Sequence, residues 1–219
     1  MKVLFLTDSL SLPRSYKNAV VKWEEIYFTR LKQRFPDVEF ILMAMGGATI
    51  VQIQLALNYY VHTNPDLVIL QSGIVDCAPR AFGQLEQQII FKLKLFRLVK
   101  PFVKTLRKYR RISYTSPKTF EATLLKIKHA FPGKPFIAIG ILPGCKDYDL
   151  LLPNVSKKIV EYNGILAGHT DFIENDDFPA EGIVGDFHHM NAYGHNIIYH
   201  KLEPVIERHI GIFKTKQPQ

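Results

Sequence analysis

Four short apolar runs most narrow what this chain can fold into: Val3-Leu4-Phe5-Leu6, Val38 to Met45, Leu67-Val68-Ile69-Leu70 and Phe136 to Leu142. None shows the polar alternation of a strand with one wet face, so each predicts a strand covered on both sides, as in a parallel sheet. Stretches of helical spacing separate them. Ala19, Val20, Trp23, Ile26, Tyr27 and Leu31 predict a helix reaching Phe35. Thr49 to Tyr60 predicts a second, with Ile50, Ile53, Leu55 and Leu57 apolar. Pro117 suits the first turn of a third that runs to Phe131. Pro153 to Ala167 is a fourth, with Gly168 placed to end it, and Asn191 to Ile210 is the last. Thr170 to Ile173 supplies a short fifth strand.

Strands alternating with helices imply right-handed crossovers. The expected fold is therefore α/β, a three-layer α/β/α sandwich around a central, mostly parallel five-stranded sheet. With 219 residues, 47% of them hydrophobic, and no internal repeat or linker, residues 1–219 read as one domain. In such sheets ligands sit beyond the carboxyl ends of the strands. Ser9, Gly47, Asp76 and Pro143 all follow strand ends and so share one rim.

The richest stretch chemically is Gly185-Asp186-Phe187-His188-His189-Met190-Asn191-Ala192-Tyr193-Gly194-His195. An Asp three residues before a His on one loop can accept the Nδ1–H of that imidazole, fixing its tautomer and freeing Nε2 to take a proton. His189 is then the base and Asp186 its orienter. His188 is the rival base by one position. The nucleophile must come from a strand end elsewhere.

Net charge is +8, and it is local. No acidic residue lies between Glu86 and Glu121, where Lys92, Lys94, Arg97, Lys100, Lys104, Arg107, Lys108, Arg110, Arg111 and Lys118 stand. Without these ten cations the rest carries 18 basic against 20 acidic residues, a charge of −2. Ile89, Leu93, Phe96, Val99, Val103 and Leu106 keep helical spacing among them. The segment from about 79 to 116 therefore reads as a basic amphipathic helical insertion, kinked near Pro101. Its expected partner is an anionic membrane surface or polyanion held by Lys92 to Arg111. No nucleic-acid-binding motif accompanies the charge.

The rim positions together resemble the SGNH superfamily, the GDSL-type esterases and lipases, whose domain is flavodoxin-like. Thr7-Asp8-Ser9-Leu10 is similar to the Gly-Asp-Ser block, with Thr7 in place of the glycine. Gly46-Gly47-Ala48-Thr49 resembles the block whose glycine amide helps hold the oxyanion. Asp186 to His195 resembles the Asp-x-x-His-x-Asn-x-x-Gly-His block. The resemblance implies Ser9 as nucleophile, His189 and Asp186 as its base and orienter, and the amides of Ser9 and Gly47 as oxyanion donors. The remaining block departs: where the family has Gly-x-Asn-Asp, this chain has Gly73-Ile74-Val75-Asp76, and Val75 cannot donate a hydrogen bond. Gln71, Ser72 and Arg80 are candidate replacement donors, and Gly73, Asp76 and Arg80 are candidate substrate contacts.

The resemblance implies hydrolysis of small acyl esters, including O-acetyl groups on carbohydrate, with no cofactor and no metal. An O-acyltransferase acting on a glycan would use the same residues. Loss of the oxyanion Asn instead fits a degenerate site retained for binding. Cys77, beside Asp76, reads as a buried small side chain rather than a thiol nucleophile. Cys77 and Cys145 lack metal-ligand spacing. The first residues lack the long apolar stretch of a signal peptide, and no run approaches a membrane span, so a cytoplasmic protein, peripheral at most to a membrane, is expected.

Overall fold

A computed structural model describes residues 1–17, 19–110 and 112–215. In chain order the strands are β1 (Lys2–Thr7), β2 (Arg14–Tyr16), β3 (Ala19–Val21), β4 (Glu39–Ala44), β5 (Leu67–Gln71), β6 (Phe136–Ile139) and β7 (Asp171–Ile173). The helices are α1 (Tyr27–Arg34), α2 (Ile50–Ala56), α3 (Ile74–Cys77), α4 (Gln84–Lys92), α5 (Phe96–Val99), α6 (Val103–Arg110), α7 (Pro117–His129), α8 (Lys146–Leu151), α9 (Val155–His169) and α10 (Ala192–Thr215).

Five strands form one sheet in the order β4-β1-β5-β6-β7, and every pairing is parallel. The chain first steps outward from β1 to β4, then returns past β1 to β5 and continues through β6 to β7. With right-handed crossovers, that reversal puts α1 on one face and α2, α7 and α9 on the other. The packing agrees: α10 lies against α1, while α7 contacts both α2 and α9. The sheet's apolar runs make the core, with Val3, Leu4, Phe5, Leu6, Leu67 and Ile69 fully enclosed. The order reverses between β1 and β5, the position where open α/β sheets bind ligands. Ser9 follows β1 there.

Several elements differ from the reading of the sequence. Ala19 and Val20 belong to β3, which pairs antiparallel with β2 in a small separate hairpin, so the first helix starts only at Tyr27. The apolar spacing of Ala19 and Val20 arises in a strand that pairs only with its hairpin partner. Helix α8 has no counterpart in the sequence pattern, because its six residues, Lys146–Leu151, carry no apolar period. Gly168 lies inside α9, which Thr170 ends by donating its N–H to Leu166 O at 3.1 Å. The last helix runs through Pro204 to Thr215.

The basic insertion is helical but broken twice, after Lys92 and again at Lys100–Phe102, where Pro101 sits. Phe91 stacks on Phe96 across the first break, with ring centroids 5.5 Å apart. The arm is pinned at its base. Arg80 N–H donates to Ile112 O at 2.7 Å, and both Arg110 Nη atoms donate to Glu86 at 2.8 Å. Arg111, counted among the cations, lies outside the described residues. No helix among the described residues is long and apolar enough to cross a membrane.

Candidate active site

β1 ends at Thr7, and the chain turns at once into a single helical turn, Ser9–Ser11, which the Asp8 side chain caps by accepting Leu10 N–H at 2.9 Å. That turn holds Ser9 at the rim. From the far end of the chain, the loop after Val184 bends back through Phe187, whose φ of +69° is left-handed, and brings His189 to meet it. The Oγ of Ser9 lies 2.8 Å from His189 Nε2. On the opposite edge of the ring, His189 Nδ1 lies 2.8 Å from Asp186 Oδ2, and the His189 amide donates to Asp186 Oδ1 at 3.0 Å. Ser9 and His189 are 8% and 6% exposed, reachable but largely shielded.

The electrostatics suit this order. Burial would raise the Asp186 carboxyl, but the hydrogen bond from His189 and the charges of the two imidazoles outweigh it, holding Asp186 well below the usual carboxylate range. Arg14 adds a longer ion pair, Nη1 to Oδ2 at 3.7 Å, that sequence spacing could not reveal. Asp186 therefore stays ionised and can stabilise a proton on its neighbouring ring. His188 has a different job. Its Nδ1 lies 2.8 Å from the Asp186 carbonyl, its ring stacks on Tyr148 with centroids 6.0 Å apart, and burial followed by repulsion from His189 pulls it down to about 4. A ring so placed is a neutral wall of the cleft.

Asp186, His188 and His189 offer ligand atoms within 4.8 Å of one another, close enough to hold a cation. Both nitrogens of His189 are already committed, however, one to Ser9 and one to Asp186. That arrangement is proton-transfer geometry rather than metal ligation.

Gly47 turns after β4 with φ +72°, and a Cβ there would meet nothing within 4 Å. The turn's own hydrogen bond runs from Ala48 N–H to Met45 O at 3.1 Å and leaves the Gly47 amide out. Ser9 opens a helical turn, so its N–H likewise lacks an intrahelical acceptor.

The departing block is resolved differently from expectation. Asp76 is turned inward and does not line the cleft. It is fully buried, accepts the Ile50 N–H at 3.1 Å on both oxygens and takes a hydrogen bond from Thr115 Oγ. Burial pushes it up to about 6 despite those donors. It tethers the start of α2 and so fixes the Gly46-Gly47 turn just before it. Gly73 is also enclosed. Its φ of +134° and the 2.6 Å that would separate a Cβ from Ile141 Cδ1 make it a turn residue rather than a substrate contact.

Gln71 is buried, its Oε1 accepting from Tyr27 Oη at 2.7 Å, and Ser72 is buried beside it. Arg80, by contrast, lines a cleft of about 270 Å³ with Val75, Tyr148, Asp186, His188 and Arg107. Tyr148 gives no signal in sequence and Arg107 shows there only as one charge of the basic run, because they reach the cleft from α8 and the basic arm.

No family model and no curated protein sequence matches this chain. Solved structures do. A lipase/acylhydrolase from Enterococcus faecalis superimposes with a TM-score of 0.65 at 16% identity, covering 94% of each chain. A catalytic mutant of an acetylxylan esterase from Geobacillus stearothermophilus gives 0.59 at 15%, covering 96% of this chain and 94% of that one. A member of the lipolytic G-D-S-L family from Veillonella parvula gives 0.58 at 14%, over 94% and 98%. The chain thus has the α/β fold of these lipolytic and acetylxylan-esterase structures, with a parallel five-stranded sheet at its centre.

Proposed function

We propose that this chain is a serine esterase of the SGNH type, cleaving small acyl esters that include O-acetyl groups on carbohydrate. The observation that carries the reading is the unbroken relay from Ser9 Oγ through the His189 ring to Asp186, with both contacts at 2.8 Å. In the reaction, His189 Nε2 takes the Ser9 proton as Oγ attacks the ester carbonyl carbon. Negative charge gathers on the carbonyl oxygen, facing the Ser9 and Gly47 amides. His189 returns its proton to the departing alkoxide, leaving an acyl-serine that water hydrolyses. Acetylxylan esterases among the structural neighbours support the carbohydrate part. Residues 1–219 act in this reading as one domain carrying the basic insertion.

Val75 favours a second reading. The wall position where the resemblance implies an Asn donor is apolar here, and losing one such donor costs on the order of 10² to 10³ in rate. A chain that tolerates this is a binding module in the old cleft. Labelling with a fluorophosphonate followed by peptide mass spectrometry separates the two. An adduct on Ser9 that a Ser9→Ala variant lacks supports the esterase; a parent chain that never labels, and cleaves p-nitrophenyl acetate no faster than Ser9→Ala, ends it.

A further inference from the structure

Arg80 and Arg107 share the cleft beside the relay. Arg80 follows α3, and Arg107 comes from α6 of the basic arm, yet both line the same 270 Å³ space. Arg110, one turn along α6, is paired with Glu86 at 2.8 Å. Among the described residues, neither Arg80 nor Arg107 has an acidic partner within ion-pair distance. The Nε atoms of both are buried without a hydrogen-bond acceptor. The one carboxylate lining the cleft, Asp186, is already engaged by His189 and Arg14.

Arg80 is held in place by its backbone bond to Ile112 and by the Tyr114 ring, 4.7 Å below its guanidinium. Burial, and then repulsion from Arg80, lowers Arg107 from its ordinary value, so the two groups feel each other. Guanidinium pairs with orphaned donors suit planar or tetrahedral oxyanions, which they grip at two points.

We infer that the substrate's own anionic group, a carboxylate or phosphate, docks between Arg80 and Arg107 while its ester reaches Ser9. This rests on the esterase reading and narrows its substrate to acyl esters of acidic molecules, such as acetylated uronates or sugar phosphates. Calorimetric titration of the Ser9→Ala protein with glucuronate, glucose 6-phosphate and glucose tests the site without turnover. Glucuronate or glucose 6-phosphate should bind at least about tenfold tighter than glucose, and the stronger of the two names the anion. Arg107→Gln and Arg80→Gln should each remove about tenfold of that affinity, and Arg107→Lys should keep part of it. Circular dichroism checks that each variant is folded.

On the parent, acetate release from acetylated glucuronate, glucose 6-phosphate and glucose should show the same preference, expressed in KM. Equal binding of glucose and both anions, or anion binding indifferent to both arginines, overturns the inference while leaving esterase activity standing. Anion binding without any Ser9 turnover would sink the esterase reading and keep the site as a receptor.

A separate observation carries a second inference. Along the arm, Leu93, Leu98 and Phe102 are 58%, 70% and 62% exposed, amid Lys92, Lys94 and Arg97 in a stretch free of acids. A polyanion would use the cations alone, whereas a bilayer interface takes apolar side chains and cations together. We propose that the arm lies on an anionic phospholipid membrane. The full chain should co-sediment with phosphatidylglycerol vesicles and not with phosphatidylcholine vesicles. Leu98→Ser with Phe102→Ser, and separately the charge-removing set K92S, K94S, R97S and K100S, should each release it. Failure to bind phosphatidylglycerol vesicles, or vesicle binding unmoved by the Leu98 and Phe102 changes, overturns the membrane assignment.

Discussion

Asp186 grips His189 at two points, accepting its ring Nδ1–H at 2.8 Å and its backbone N–H at 3.0 Å. One carboxylate thereby fixes both where the loop lies and which tautomer the imbalance of protons selects. Asp186→Asn keeps one acceptor but presents an amide N–H to the ring, favouring the wrong tautomer. Turnover of p-nitrophenyl acetate is expected to fall by on the order of 10⁴ with the fold intact, as judged by circular dichroism. A drop of only a few-fold would mean that Asp186 serves the loop and not the chemistry.

Val75 lines the cleft on the short helix α3 beside Ile74 and is partly exposed, so a polar side chain fits there without burying an unpaired group. Val75→Asn should raise kcat on small esters by about 10- to 100-fold, part of what one oxyanion donor supplies. An unchanged or lower rate would show that another group already answers the oxyanion.

Gly194 opens α10 against the backbone of Gly182, and a Cβ there would fall 2.1 Å from the Gly182 carbonyl oxygen. Backbone on both sides leaves nothing flexible to yield. Gly194→Ala is expected to cost about 2 kcal/mol or more, lowering Tm by roughly 5 °C or more for a chain of this size. A calorimetric scan that coincides with the parent's would remove this account of the glycine.

Asp8 carries a pH dependence of stability. Burial pushes its carboxyl from 3.8 up to about 7, and its Oδ2 lacks any hydrogen-bond donor. Between those values the folded protein holds a proton that the unfolded chain has released. The stability this group contributes is therefore complete below about pH 4 and is lost as pH rises through 7. Asp8→Asn keeps the acceptor for Leu10 N–H and removes the charge. Denaturant titrations across this range should show a flatter slope for the variant and greater stability near pH 8, by up to on the order of 4 kcal/mol. Parallel pH profiles for both proteins would mean that Asp8 titrates normally.

What the sequence disclosed, and what it hid, follows from the range of the interactions involved. Continuous apolar runs such as Val3 to Leu6 announce a strand enclosed on both faces, because nothing else excuses so much apolar side chain in so few residues. Asp186 and His189 are likewise a local signal, three positions apart on one loop. Asp76 defeats that kind of reading: residue order places it at a strand's end, but only packing against Thr115 and Ile50 turns its carboxylate inward. Arg107 was visible as one charge in a basic run, while its meeting with Arg80 depends on how the arm folds back. Ala19 and Val20 misled because three-residue strands are too short to display a period.

The separation of Ser9 and His189 along the chain has a consequence for how the protein is made. Their contact spans 180 positions, so a polypeptide emerging from the ribosome displays the hydroxyl group long before it receives the matching ring. On the esterase reading, a chain shortened before residue 189 lacks its base and stays inert however well its first strands assemble.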